Sequence, residues 1–203
     1  MRKSMMPVAM IFAALVGLGG GVAIAQNLDG IKLPSKEEMA KLPVPEAADY
    51  PPGLGVALDV PNAKELPDPK LIYKDVFDLP TGGKTPSDVN PGLLTVARFV
   101  NTLAKYGVPA DHRKFVVVFH RGSTDAILDN DAYKARHHVD NPNIRIMQSL
   151  SKAGVLFKVC GQSVLFGHID QKTIQPIVEV DLWAGTTILN LTARGYVHLG
   201  GES

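Results

Sequence analysis

The run Lys114 to His120, KFVVVFH, narrows the fold more than any other stretch of the chain. It is an unbroken series of β-branched and aromatic side chains with no polar alternation. A strand of that kind is buried on both faces, which is the habit of parallel sheets covered by helices. Upstream, Leu93, Val96, Ala97, Val100, Leu103 and Ala104 recur at the i, i+3, i+4, i+7 spacing of one apolar helix face. Ser87 or Asn90 can cap that helix, Gly107 ends it and Pro109 confirms the stop. Leu71 to Leu79, LIYKDVFDL, reads as the strand before it, so strand, helix and strand make a βαβ unit.

The alternation continues to the end of the chain. Residues 124–138 suggest a short helix. Asn141-Pro142-Asn143 reads as a helix start, with Asn141 as N-cap and Pro142 as the first helical residue. That helix carries Ile146, Met147, Leu150 and Ala153 inward and ends at Gly154. Val155 to Val159 is the next strand, Gly161 to Phe166 a short helix, and Pro176 to Val180 a further strand. Ala184, Ile188 and Leu191 mark the last helix, and Tyr196 to Leu199 the last strand. The expected fold is α/β, a mostly parallel five-stranded sheet with helices on both faces. In such sheets ligands sit at the carboxyl ends of the strands.

The chain ahead of this domain is of another kind. Arg2 and Lys3, the apolar run Val8 to Ile24 and the small residues of Ala23-Ile24-Ala25 read as a signal peptide over residues 1–25. The expected location is periplasmic or secreted, with membrane contact only through that segment before cleavage. Residues 26–70 hold eight of the 15 prolines. Such density forbids long helices and central strands, so an arm or linker is expected, with one short helix at Ser35 to Leu42. The α/β domain then runs over 71–203. The formal net charge of +1 gives no electrostatic footprint for nucleic acid. No GxxxxGK[ST] or GxGxxG is present and export removes ATP and NAD, so no cofactor is expected.

Export sharpens the meaning of Cys160, the single cysteine. Exported chains use cysteines in pairs, and this one has no internal partner. It falls where a strand passes into a helix start, and free N–H groups of Gly161, Gln162 and Ser163 there would stabilise a thiolate. A buried, inert Cys is the alternative. His120, at the end of another strand, is a candidate base or cationic partner. Arg121 and Gly122 follow it at the same edge, and His168 is within reach by sequence distance. His137 and His138 face different directions on any regular element. HxxxH, CxxC and HExxH are absent, so spacing predicts no metal site.

The segments KFVVVFHRG, DAYKARHHVDNPNIRIMQSLSKAGVLFKVCGQS and IVEVDLWAGTTILNLTARGYVHL, in this order, resemble the DsrE/DsrF-like family, and within it the exported branch. The most specific pieces are FHxG, NPN, VCGQS and the Gly195-Tyr196 pair before the last strand. The resemblance implies a five-stranded α/β fold and assembly into trimers or hexamers. It also implies that Cys160 carries sulfur as a persulfide, as the matching cysteine does in the sulfur-relay members. The chain departs from those members in its export signal, its proline-rich arm and the residues GQSVLFG after the cysteine. The expectation is therefore an exported homo-oligomer that carries sulfane sulfur on Cys160. Gly161 and Gln162 would lower its pKa, His120 would assist, and a sulfur donor or acceptor protein would be its partner. A non-enzymatic binding or assembly protein with a structural cysteine is the alternative, and a thiol/His site for metal or haem a third.

Overall fold

The computed structural model describes residues 55–200, together with Asn27–Leu28 and Ile31–Lys32. The signal segment and the Ser35 to Leu42 helix lie outside the described residues. The chain divides into two units between Pro34 and Ser35. In the first, Asn27–Leu28 pairs antiparallel with Ile31–Lys32.

The second unit holds the sheet. Its strands are β1 (Tyr73–Leu79), β2 (Arg113–Phe119), β3 (Leu156–Cys160), β4 (Val178–Asp181) and β5 (Val197–Gly200). All five are parallel, in the order β4-β3-β2-β1-β5. The helices are α1 (Pro91–Lys105), α2 (Asn130–His137), α3 (Ile144–Lys152), α4 (Gly161–Phe166) and α5 (Ala184–Ala193). The α/β sheet covered by helices is thus present, and every ladder in it is parallel.

The two faces of the sheet are packed unequally. On one face, Phe77, Leu79, Phe115, Val117, Phe119, Phe157 and Val159 meet buried side chains of α1, α2, α3 and α4. Phe77 stands edge-on to both Phe99 and Phe115 with ring centroids 5.4 Å apart, contacts of about 0.5–1.5 kcal/mol each. On the other face Val76, Val116, Val118 and Cys160 meet α5, through Ala184, Ile188 and Leu191, and Tyr196 just beyond it. Successive strand residues alternate between faces, so the even-numbered positions of β1, β2 and β3 belong to the α5 side.

Local chemistry explains the element ends. Asn90 caps α1, its side chain accepting the Gly92 N–H at 2.8 Å, with Pro91 in the first turn. Asn141 does not cap α3 as the Asn-Pro-Asn pattern predicts. Its amide donates to the Ala126 and Leu128 carbonyls at 3.1 and 2.8 Å, and the helix begins only after Asn143. Residues 121–127 form a 3-10 helix directly after β2. The end of the proline-rich arm lies along α1. Ala57 N–H donates to Thr102 Oγ1 at 2.9 Å, and Asp59 pairs with Lys105 at 2.7 Å. Among the described residues no helix is long and apolar enough to cross a membrane.

Candidate functional site

Cys160 is the last residue of β3 and the N-cap of α4. It is only 3% exposed. No full capping bond closes on its side chain, yet the polar groups around the sulfur favour the thiolate. Burial pushes the thiol pKa up. The backbone N–H groups of Ala184, Ser163 and Gln162 and the Ser163 hydroxyl push it down, and their sum wins, so the pKa is lowered. Ser163 Oγ in turn accepts the Arg121 N–H at 3.1 Å, which directs its own proton away from that bond. Ala184 opens α5 and packs with Cys160 in one core cluster, so two elements that meet only in the folded chain lower the thiol pKa.

The corner after Cys160 admits only glycine. A Cβ on Gly161 would stand 2.6 Å from the Asp181 carbonyl oxygen, inside any normal contact. The close approach draws the start of α4 against the end of β4. The Gln162 side chain adds a bond to the Leu182 carbonyl at 3.2 Å. Gln162 therefore offers the thiol its backbone N–H, while its amide braces the neighbouring loop.

His120 follows the Phe119↔Val159 pair of the β2–β3 ladder. It stands level with Cys160 and on the same face. Its Nε2 is bonded to Asp78 Oδ1, and Asp78 Oδ2 lies 3.5 Å from His198 Nε2 on β5. Asp78, His120 and Cys160 thus stand near the ends of β1, β2 and β3, and the Asp78 carboxylate fixes the His120 ring. On the other flank Asp181 pairs with Cys160 in the β3–β4 register. Its carboxylate takes Lys158 Nζ at 3.2 Å and the Thr187 hydroxyl at 2.7 Å. Burial depresses the Lys158 pKa, but bonds to Glu179 and Asp181 outweigh it and hold the ammonium charged.

The remaining expected site residues are dispersed. Arg121 is exposed, with a left-handed φ of 53°, and only its N–H reaches the site, through Ser163. Gly122 belongs to a cleft of about 160 Å³ on the α1 side of the sheet, lined with Gly82, Gly83, Asn90, Ser123 and His137. Its carbonyl oxygen lies 2.7 Å from where a Gly82 Cβ would be. His168 is exposed beyond the far end of α4, and its carbonyl accepts from Arg136. His137 pairs with Asp125 at 2.8 Å, while His138 caps α2 in the left-handed conformation. Among the described residues no three His, Cys, Asp or Glu side chains gather as a metal-ligand set.

Three contributors, Asp78, Asp181 and Ala184, escape the sequence reading, as does the hydroxyl of Ser163, of which the sequence predicts only the N–H. Ser163 had a local signal, three residues into the helix that Cys160 caps. The other three lie on different elements and reach the thiol through strand order alone.

The pattern of the DsrE/DsrF-like family matches residues 74–199, more than half of the chain. No curated protein matches the chain significantly. Among solved structures, a protein of unknown function from Methanobacterium thermoautotrophicum is similar at 12% identity and a TM-score of 0.45, over 63% of this chain and 98% of its own. The chain belongs to the DsrE/DsrF-like family.

Proposed function

We propose that this DsrE/DsrF-like chain is an exported carrier of sulfane sulfur, with Cys160 as the atom that accepts it. The observation that carries this reading is the sulfur's setting. The single thiol of the chain is buried, yet its thiolate form is favoured by three backbone N–H groups and a hydroxyl. A merely structural cysteine needs none of these. With thiosulfate as donor, the Cys160 thiolate attacks the outer sulfur. The new Sγ–S bond forms as the bond to the sulfonate sulfur breaks, and sulfite leaves with that electron pair. The persulfide anion that results is held by the same N–H groups, and no external oxidant or reductant is needed. His120, oriented by Asp78, takes the thiol proton when the neutral form arrives.

Export rests on the basic start, apolar run and Ala23-Ile24-Ala25 site of the first 25 residues. A homo-oligomer, trimer or hexamer, is supported by apolar side chains left in water beside the site: Leu165, Phe166, Leu182 and Trp183 are 66%, 81%, 76% and 55% exposed.

The test is intact mass of the mature protein after incubation with thiosulfate or polysulfide, both small enough for a covered thiol. An adduct one sulfur atom heavier, absent from Cys160→Ser, is expected. A thiol inert to both donors and to small alkylating agents overturns the reading. That outcome favours the second one, an assembly protein in which Cys160 packs against Val118 as part of the α5-side core.

A further inference from the structure

Asp181 is an odd neighbour for a thiol that is to ionise. It is the register partner of Cys160, and a carboxylate at that position repels a thiolate. Its bonds point to another task. One carboxylate oxygen is held by Lys158 at 3.2 Å and the other by the Thr187 hydroxyl at 2.7 Å. Lys158 belongs to the same strand as Cys160, and Thr187 lies in the first turn of α5, one turn beyond Ala184. The Asp181 backbone is pressed on Gly161, and the next carbonyl, of Leu182, takes the Gln162 amide at 3.2 Å. The corner between β4 and α5 is therefore fastened to the corner between β3 and α4 from both its side chain and its backbone.

We infer that Asp181 and Thr187 are positioning residues that fix the start of α5 against Cys160, holding the backbone of Ala184, which packs with Cys160 in one core cluster, beside the thiol. The inference rests on the reading of Cys160 as a reactive thiol. Neither residue touches the reacting atoms. Each acts through the place it gives Ala184. The charged and titratable groups around the thiol are His120 and Arg121 at the end of β2, Lys158 on β3, Glu179 and Asp181 on β4, and Tyr196 ahead of β5, which packs against the same cluster. Asp78 acts behind His120, while α4 and α5 carry no titratable side chain. Thr187→Val removes the hydroxyl without altering any of these charges.

The experiment is a thiolate titration by ultraviolet absorbance on the mature protein, with Cys160→Ser as the background. Circular dichroism of each variant confirms folding. Thr187→Val is expected to raise the midpoint by about half a pH unit, a roughly threefold loss of thiolate below it, and Thr187→Ser to keep the wild-type midpoint. Asp181→Asn gives an opposed sign: loss of charge alone lowers the midpoint, whereas loss of positioning raises it. A rise in Asp181→Asn supports the inference. A midpoint at or below wild type in Asp181→Asn, or an unchanged one in folded Thr187→Val, overturns it. If Thr187→Val does not fold, Asp181→Asn decides. A wild-type midpoint no lower than that of an ordinary thiol refutes the reactive-thiol reading instead, so the two failures are distinct.

Discussion

Asp75 offers a measurable consequence of the sheet's packing. It lies in the middle of β1, level with Phe115 on β2 and Val197 on β5, and on the face that carries Phe77. Burial there raises its carboxyl pKa from 3.8 to about 6. The sign follows from linkage. The fold holds the proton more tightly than the unfolded chain does, so the contribution is fully present below the unfolded value of 3.8. It is lost as pH rises through about 6, and at neutral pH the buried carboxylate is a net cost. A shift of that size corresponds to about 3 kcal/mol. Asp75 is only half-buried, and solvent screening reduces this to about 1–2 kcal/mol. Asp75→Asn is therefore expected to stabilise the protein by about 1–2 kcal/mol near neutral pH, a gain of about 2–8 °C in Tm, and to change little below about pH 4. Thermal and urea unfolding of both proteins across this range measures it. Two stability curves that stay parallel with pH, or a variant less stable at neutral pH, would refute the desolvation argument.

Three further outcomes are expected. Gly161→Ala forces a Cβ to 2.6 Å from the Asp181 carbonyl, which should cost about 1–3 kcal/mol in urea unfolding; a neutral substitution would show that the corner yields. Asp78→Asn leaves His120 without its carboxylate, and alkylation of Cys160 by a small reagent at neutral pH should slow by roughly tenfold; an unchanged rate removes Asp78 from the site. Light scattering should give the wild type a mass above that of one chain, and the double variant Phe166→Glu with Trp183→Glu the mass of one chain; a monomeric wild type contradicts the oligomer.

How far the site could be read beforehand depends on how local each signal is. Val155 to Val159 ending in Cys160, then a helix start, is written in consecutive residues, and the structure keeps that strand-to-helix corner. The sequence presents Gly161 as a source of N–H, but its deeper role is the missing Cβ, which no pattern reports because it depends on where Asp181 arrives. Asp78 sits in LIYKDVFDL as an acidic residue among apolar ones. Nothing in that stretch says that β2 will bring His120 beside it. Asn141 misleads for the opposite reason. Its Oδ1 does accept a local N–H, that of Asn143 at 2.9 Å, while its amide nitrogen is held by carbonyls of the Ala126 to Leu128 segment. The local bond closes the turn ahead of the helix, which begins at Ile144, so the pattern marks that turn and not the N-cap.

The placement of the site follows from strand order. Chain order β1 to β4 moves in one direction along the sheet, and the crossovers carrying α1 to α4 all cover one face. β5 then pairs on the far side of β1, so the last crossover must return across the whole sheet. Right-handed connection sends it over the other face. That is why α5, of the five helices, covers Val76, Val116 and Val118, and why its first residues start at the carboxyl end of β4. The neighbouring strand end is Cys160, in register with Asp181. A thiol at the end of β3 is thus met by N–H groups of its own helix and of the returning one. A cysteine at the end of β1 would sit by β5, away from both. The reversal of strand order, more than any single motif, makes the end of β3 the place where a thiolate is stabilised.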